Sequence, residues 1–281
     1  MSYIFVGGSQ RSGTTLMQAA LCSSEETNPH IGESSYLRAL LDAYRLGSKN
    51  FDDDAIFHFK DEAAMDDYQS FVIREFLERM LALYTPATSL VLKEPHLTMF
   101  FPELWKLIPE SKFVMVKRDP RDIVVSMMRV GEKMAQRGQR HLFNSGNVGG
   151  MAKSITKFYA PTYNLCKTNP DFKKSCHWVC YEEFIEKPED VMDGIRAFTG
   201  LKLKSFAPQN PYARVHPHKQ KVDNTSDRVK NWLTPLNNQA IGRQKAQGFE
   251  EKLTKDQIVA VEKNCRDLIV ALGYTPLTKA K

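Results

Sequence analysis

Residues 3–8 read Tyr-Ile-Phe-Val-Gly-Gly, an apolar run long enough for one buried strand, broken by two glycines and followed by a helix over 13–22 that opens on Ser12-Gly13-Thr14-Thr15. An opening of strand, glycine turn and helix narrows the architectures available, because a strand apolar on both faces has to be covered on both. Short apolar runs return at Leu90-Val91-Leu92, at Lys112-Phe113-Val114-Met115-Val116 and at Trp178-Val179-Cys180-Tyr181. Between them the periodicity is helical, over 68–84, Met99–Leu107, Arg121–Met134 and Pro188–Thr199. A last helix over Lys255–Leu272 carries Ile258, Val261, Cys265, Leu268, Ile269 and Leu272 on one face and stops at Gly273. No hairpin dipeptide separates the strands. The expectation is an α/β fold of three layers, a parallel sheet with helices on both faces, binding its ligands beyond the carboxyl ends of the strands.

At 281 residues and 42% hydrophobic side chains, the chain has enough apolar material for one domain over 1–281 without a covalent staple. Its five cysteines are odd in number, and the one short pair, Cys176 and Cys180, lacks a second pair to complete a metal site. Free thiols, a reducing compartment and no metal are expected. No apolar run approaches the roughly 20 residues that cross a bilayer. Tyr3–Val6 runs into glycines and not into a signal-peptide cleavage region, so the expectation is a cytoplasmic chain starting at or near Met1, with no membrane partner.

The net charge of +6 is unevenly spread. Residues 42–78 hold ten acids and four bases, read as the solvated side of a helix whose apolar pairs are Phe71-Val72, Phe76-Leu77 and Met80-Leu81. Residues 111–140 hold eight bases and three acids, and 211–247 seven and two. Two separated basic stretches point to a polyanionic partner: nucleic acid, a membrane surface or a nucleotide with several phosphates. Residues 202–250, rich in Pro, Asn, Gln and basic side chains, read as a long irregular surface segment that covers a cofactor or substrate.

The glycine turn, Gly7-Gly8-Ser9-Gln10-Arg11-Ser12-Gly13-Thr14-Thr15, places free helix amides where they can hold an anion. Against the triphosphate-binding pattern G-x-x-x-x-G-K-[ST] it matches at Gly8, Gly13 and Thr15 but has Thr14 where the lysine stands. Without that lysine, which reaches the terminal phosphates, ATP and GTP are disfavoured. Arg11 instead offers a bidentate guanidinium, and Ser12, Thr14 and Thr15 offer hydroxyls. The second basic motif, Lys117-Arg118-Asp119-Pro120-Arg121-Asp122-Ile123-Val124-Val125-Ser126, follows the third strand. Pro120 starts its helix, so Arg118 and Ser126 can converge on one anion.

R-S-G-T-T after an N-terminal strand, with R-D-P-R-D-x-x-x-S after a central one, resembles the sulfotransferases that use 3′-phosphoadenosine 5′-phosphosulfate, PAPS. Ile4 through Met17 is similar to the opening of the tyrosylprotein sulfotransferases almost letter for letter, and Lys93-Glu94-Pro95 is similar to their K-D-P. Ser111-Lys112-Phe113, Val179-Cys180-Tyr181-Glu182 and Pro235-Leu236-Asn237 with Arg243 extend the likeness through most of 3–245. The resemblance implies a P-loop-like sulfotransferase fold. It also implies transfer of a sulfuryl group from PAPS to a hydroxyl, leaving 3′,5′-adenosine bisphosphate, PAP, without a metal. In that reading Arg11, Ser12, Gly13, Thr14 and Thr15 hold the 5′-phosphosulfate, Arg118 and Ser126 the 3′-phosphate, and Tyr181 and Arg243 contact the cofactor.

Lys93, at the end of a buried strand, is the candidate to stabilise the leaving phosphate, with Arg11 beside it in the catalytic set. For the base, Gly32-Glu33-Ser34-Ser35-Tyr36 stands where the tyrosylprotein group has G-E-E-T-R, which favours Glu33 although one glutamate, the threonine and the arginine are absent. His96 is the rival, as the counterpart of the histidine after the lysine in K-T-H of the cytosolic enzymes. Arg38, on the next helix, reads as a solvated residue or as a contact for an acidic acceptor. The acceptor is a tyrosyl peptide or a small phenol, sugar or metabolite alcohol. The alternative from another class is a non-catalytic nucleotide- or nucleic-acid-binding module; the sulfotransferase reading needs no nucleic acid and leaves a homodimer open.

Overall fold

The computed structural model describes residues 2–206, 212, 214–225 and 248–279. Its sheet is built from four parallel strands, β1 (Ser2–Gly7), β2 (Ser89–Lys93), β3 (Lys112–Lys117) and β4 (Cys176–Cys180), in the spatial order β2-β1-β3-β4. Successive strand side chains point to opposite faces, and the core divides accordingly. Tyr3, Phe5, Leu90, Leu92, Phe113 and Met115 belong to one apolar cluster, while Ile4, Val6, Val91, Val114, Val116 and Val179 belong to a second. Three layers follow, as expected from strands apolar on both sides.

The smaller cluster is closed by α1 (Thr14–Leu21), α8 (Tyr181–Glu186) and α9 (Pro188–Thr199). The larger lies under α2 (Ser35–Lys49), α3 (Glu62–Ala82), α4 (Phe101–Leu107), α5 (Pro120–Ala135), α6 (Val148–Thr168), α7 (Pro170–Lys174) and the C-terminal helix Lys255–Ala271. A further helix, α10, spans Pro217–Thr225, so the stretch expected to be irregular contains a regular element. Its start at Pro217 uses a residue whose missing N–H is no loss in a first helical turn.

Several local expectations shift. The fourth strand ends at Cys180, and Tyr181 opens α8. Met99 belongs to a 3-10 turn over Pro95–Phe100 that precedes α4. In α3 the buried face is Met65, Ile73, Leu77 and Leu81, whereas Phe71 is 64% exposed. That helix begins earlier than its apolar pairs indicate, because Asp61 caps it by accepting from the Ala64 amide at 2.8 Å. Helix α6 begins on two glycines and contains Pro161, which hid it. Asn147 caps it through the Gly150 amide at 2.7 Å, and its buried residues Val148, Met151, Ala152, Ile155, Phe158, Tyr159 and Thr162 keep helical spacing.

From β1 the chain crosses to β2 on one side and then returns past β1 to β3 on the other. The connections leave the sheet in opposite directions at the carboxyl ends of β1 and β3, which opens a crevice there. Both basic motifs of the sequence stand at this crevice. On the outer flank, the segment after α1 is strapped to β2. Thr27 bridges Ser89, the Asn28 side-chain oxygen accepts from the Val91 amide at 2.6 Å, and the Ser34 amide donates to the Lys93 carbonyl at 3.1 Å. Among the described residues no helix is long and apolar enough to cross a membrane, and all five cysteines are free thiols.

Candidate active site

The first loop is held open by its own backbone. Gly8 and Gly13 have φ of 143° and 103°, and Arg11 takes 72°, a left-handed conformation that costs a non-glycine residue about 1–3 kcal/mol. Neighbours hold it in place. Thr98 donates its hydroxyl to the Gly8 carbonyl at 3.2 Å and accepts from the Gly8 amide at 3.0 Å, and Ser12 Oγ donates to the Ser9 carbonyl at 2.8 Å. A Cβ on Gly13 would collide with the Tyr181 ring, so only glycine lets that tyrosine close on the loop. Thr14 and Thr15 open α1 directly behind it, as expected.

The second motif is built in the same way. Asp119 caps α5 by accepting from the Arg121 amide at 2.9 Å, and Pro120 fills the first helical position. Arg121 turns inward, away from any ligand. It forks onto Asp119 at 2.9 and 2.7 Å and reaches Glu262 of the C-terminal helix at 2.7 Å, all three buried. Glu262 also accepts from the Leu277 and Thr278 amides, both at 2.8 Å. Glu182 accepts from the Asp119 amide at 3.1 Å and from the Tyr274 hydroxyl at 2.7 Å.

Between these scaffolds the two motifs meet. Arg11 Nε donates to Ser126 Oγ at 3.3 Å, and Arg118 Nη1 donates to the Arg11 carbonyl at 3.2 Å. The Arg118 guanidinium lies over the buried Tyr181 ring, 4.5 Å from its centroid. Burial and the adjacent Arg118 cation push the Arg11 guanidinium down to about 10. Two cations pressed together in a crevice favour an anionic ligand. Asp122, behind Arg118, is pushed up to about 7 by burial, eased by Arg118 and reinforced by Asp119 and Glu182.

At the neighbouring strand end, Lys93 is only 6% exposed along its side chain, and its ammonium sits 2.7 Å from Glu33 Oε1, whose side chain is 50% exposed. Burial raises the proton affinity of Glu33, but the Lys93 charge and hydrogen bond, with His96 and Lys219, outweigh it and hold the carboxyl below its ordinary value. His96 is drawn elsewhere. Its Nδ1 pairs with Glu94 Oε1 at 3.0 Å, which raises its pKa against the opposing effect of burial, and its ring packs on Phe158. Arg38 is paired with Asp42 one turn along α2, the solvated-helix alternative. Trp105 packs on Phe172 and Trp178 on Tyr159 and Tyr163. Arg243 and Trp232 lie outside the described residues.

Sequence reasoning missed the supports. The Thr98 hydroxyl that pins Gly8 and the Glu262 carboxylate that holds Arg121 lie 90 and 141 residues from their partners, with no local pattern to betray them. For Glu262 one signal existed: a carboxylate beside Val261 on the apolar face of a helix demands a buried cation.

A parallel sheet whose crevice carries two joined arginine loops, flanked by a buried lysine paired with a half-exposed glutamate, defines an α/β protein with its cations gathered at the carboxyl ends of the strands. The model of the sulfotransferase family matches residues 3–205, and the chain belongs to that family. Among curated proteins it is 29% identical over 204 residues to a putative protein-tyrosine sulfotransferase of Caenorhabditis briggsae, covering 71% of this chain and 65% of that one. It is 25% identical over 252 residues to protein-tyrosine sulfotransferase 2 of Gallus gallus, covering 86% and 63%. The chain thus spans less than two thirds of either relative's length. The fold is that of the sulfotransferase domain from the curacin biosynthetic pathway, with a TM-score of 0.63 at 18% identity over 98% of both chains. It is also that of the sulfotransferase domain of the Synechococcus PCC 7002 olefin synthase, with a TM-score of 0.55 at 16% identity over 94% of both.

Proposed function

We propose that the protein transfers a sulfuryl group from PAPS to an acceptor hydroxyl, with a protein tyrosine as the favoured acceptor. The observation that carries this reading is the junction of Arg11 with Ser126 and of Arg118 with the Arg11 carbonyl, which makes one continuous anion site from two loops. The donor set suits PAPS: guanidinium groups, hydroxyls and helix amides, without a lysine in the loop. Ser12, Gly13, Thr14, Thr15 and Arg11 would hold the 5′-phosphosulfate, Arg118 and Ser126 the 3′-phosphate, and Tyr181 would back Arg118. Bound there, PAPS supplies an activated sulfuryl group and a phosphate leaving group.

The chain's own residues divide the remaining work. Lys93, buried and cationic, stabilises charge that develops on the leaving oxygen. Glu33, kept ionised by Lys93, accepts the proton of the attacking hydroxyl. His96 suits the base role less, because Glu94 raises its pKa and so favours the protonated ring, which packs on Phe158. A non-catalytic phosphate-binding module would have no use for a buried lysine facing a half-exposed carboxylate. The tyrosine acceptor is supported by the printed names of the relatives, and a reducing, cytoplasmic setting by the five free thiols. Calorimetry without Mg²⁺ tests the donor, with PAP expected to bind far more tightly than ATP. Labelled PAPS offered with tyrosyl peptides, phenols and sugars tests the acceptor; equal affinity for PAP and ATP, or no transfer to any of them, overturns the proposal.

A further inference from the structure

The backbone that carries Arg118 is tied on both of its flanks to one turn that follows the C-terminal helix. On the near side, Lys117 Nζ donates to the Leu272 carbonyl at 3.0 Å. On the far side, the Asp119 amide donates to Glu182 Oε1 at 3.1 Å, and Glu182 Oε2 accepts from the Tyr274 hydroxyl at 2.7 Å. The turn itself is closed by the helix: the Gly273 and Tyr274 amides donate to the Val270 and Ile269 carbonyls at 3.0 and 2.9 Å. Glu182 takes one more donor, the Cys180 thiol at 3.1 Å, so its carboxylate gathers an amide, a phenol and a thiol from three parts of the chain. Burial, with the charge of Glu182 adding to it, raises the pKa of both Tyr274 and Cys180, so each keeps the proton it donates. One residue before Glu182, the Tyr181 ring lies under the Arg118 guanidinium and against Gly13 of the first loop. The first turn of α8 therefore grips Arg118 twice, by a ring beneath its guanidinium and by a carboxylate on the next backbone amide. That grip works against repulsion, because Arg118 reaches the Arg11 carbonyl and stands beside the Arg11 cation.

We propose that Tyr274 is a positioning residue for the donor's 3′-phosphate: its hydroxyl holds Glu182, Glu182 holds the Asp119 amide, and the backbone so fixed aims Arg118. The role rests on the reading above in which Arg118 and Ser126 take that phosphate. Tyr274 lies beyond residue 205, where the family match ends, and it acts through Glu182 and not by contact with the nucleotide. Asp119 also caps the helix that carries Ser126, so the same short stretch of backbone sets both groups assigned to the phosphate. Its effect is therefore selective. Arg118 distinguishes a nucleotide with a 3′-phosphate from one without, and loosening its mount costs affinity for the first alone. A tyrosine that only packed the helix end would weaken both nucleotides alike, or neither.

Calorimetry on the full chain with PAP and with 5′-AMP tests it. Tyr274→Phe keeps the ring and loses only the hydroxyl; it should weaken PAP about tenfold and 5′-AMP less than about twofold, the loss of one hydrogen bond to a charged group felt at the phosphate alone. Glu182→Gln should act in the same direction, and the two together should cost little more than either, because they break one connection. In an Arg118→Ala background, Tyr274→Phe should change PAP affinity by less than about twofold. An unaltered preference for PAP over 5′-AMP in Tyr274→Phe, equal losses for both nucleotides, or a loss that persists without Arg118 overturns the role while the transfer reading stands. If Tyr274→Phe does not fold, Glu182→Gln carries the same comparison and is judged by the same outcomes. A wild-type chain that binds PAP no better than 5′-AMP overturns the assignment of the 3′-phosphate to Arg118 and this role together.

Discussion

The two arginine loops and the lysine–glutamate pair, the proposed donor and acceptor halves of one site, are built by opposite means. In the first, Arg11 and Arg118 follow the ends of adjacent central strands, and Ser126 lies in the helix that Asp119 caps. Buried partners then immobilise them: Thr98 on Gly8, Asp119 and Glu262 on Arg121, Tyr181 beneath Arg118. On the other side, Lys93 is at the edge of the sheet, and it pairs with Glu33, a half-exposed carboxylate that also feels His96 and Lys219 from distant parts of the chain. A phosphate site that must fit one nucleotide benefits from rigidity.

That contrast can be broken most severely from outside the loops. Glu262→Ala takes from Arg121 one of its two buried carboxylates and from the Leu277 and Thr278 amides their acceptor, and should destabilise the protein by about 3–5 kcal/mol, read as a fall in the denaturant midpoint; a midpoint near wild type would show that the arginine loops do not depend on the C-terminal helix. Next in size, Lys93→Ala should cut turnover about 100- to 1,000-fold with PAP affinity within about threefold, measured by labelled transfer and calorimetry. Losing both equally would erase the division between the halves. Arg118→Ala should weaken PAP about 30- to 100-fold, roughly 2–2.7 kcal/mol, and narrow the preference for PAP over 5′-AMP.

The smallest effect is one of pH. Asp122, lifted to about 7 by burial, is neutral below that value and charged above it. Protonation removes a negative charge from behind Arg118, so PAP affinity should decline by a few-fold as pH rises from about 6.5 to 8.5. Asp122→Asn should flatten that decline, and an identical slope in the variant would detach Asp122 from the phosphate site.

The donor half was legible in the sequence because its chemistry is local. A strand, a glycine turn and a helix start are written in consecutive letters, as are Arg118 and Ser126 on either side of a proline that fixes the helix start. Lys93 was legible for the same reason, as the first polar residue after an apolar strand. What escaped was long-range or disguised. Thr98 looks like an ordinary loop threonine until its hydroxyl is found bonded to Gly8, 90 residues away. Helix α6 was hidden by Gly149, Gly150 and Pro161, although the spacing from Val148 to Thr162 would have exposed it to a periodicity count. The buried face of α3 was misjudged because adjacent apolar pairs do not say which member turns inward.

The carboxylate at position 262 has a practical consequence for dividing the chain. The stretch matched by the family model ends at residue 205, which invites cloning that portion as a minimal unit. Such a fragment would discard the anchor of Arg121, and with it the hydrogen bonds that tie Thr278 to the same carboxylate. The recognisable signature and the packing that anchors Arg121 therefore have different borders, and the second reaches to Thr278.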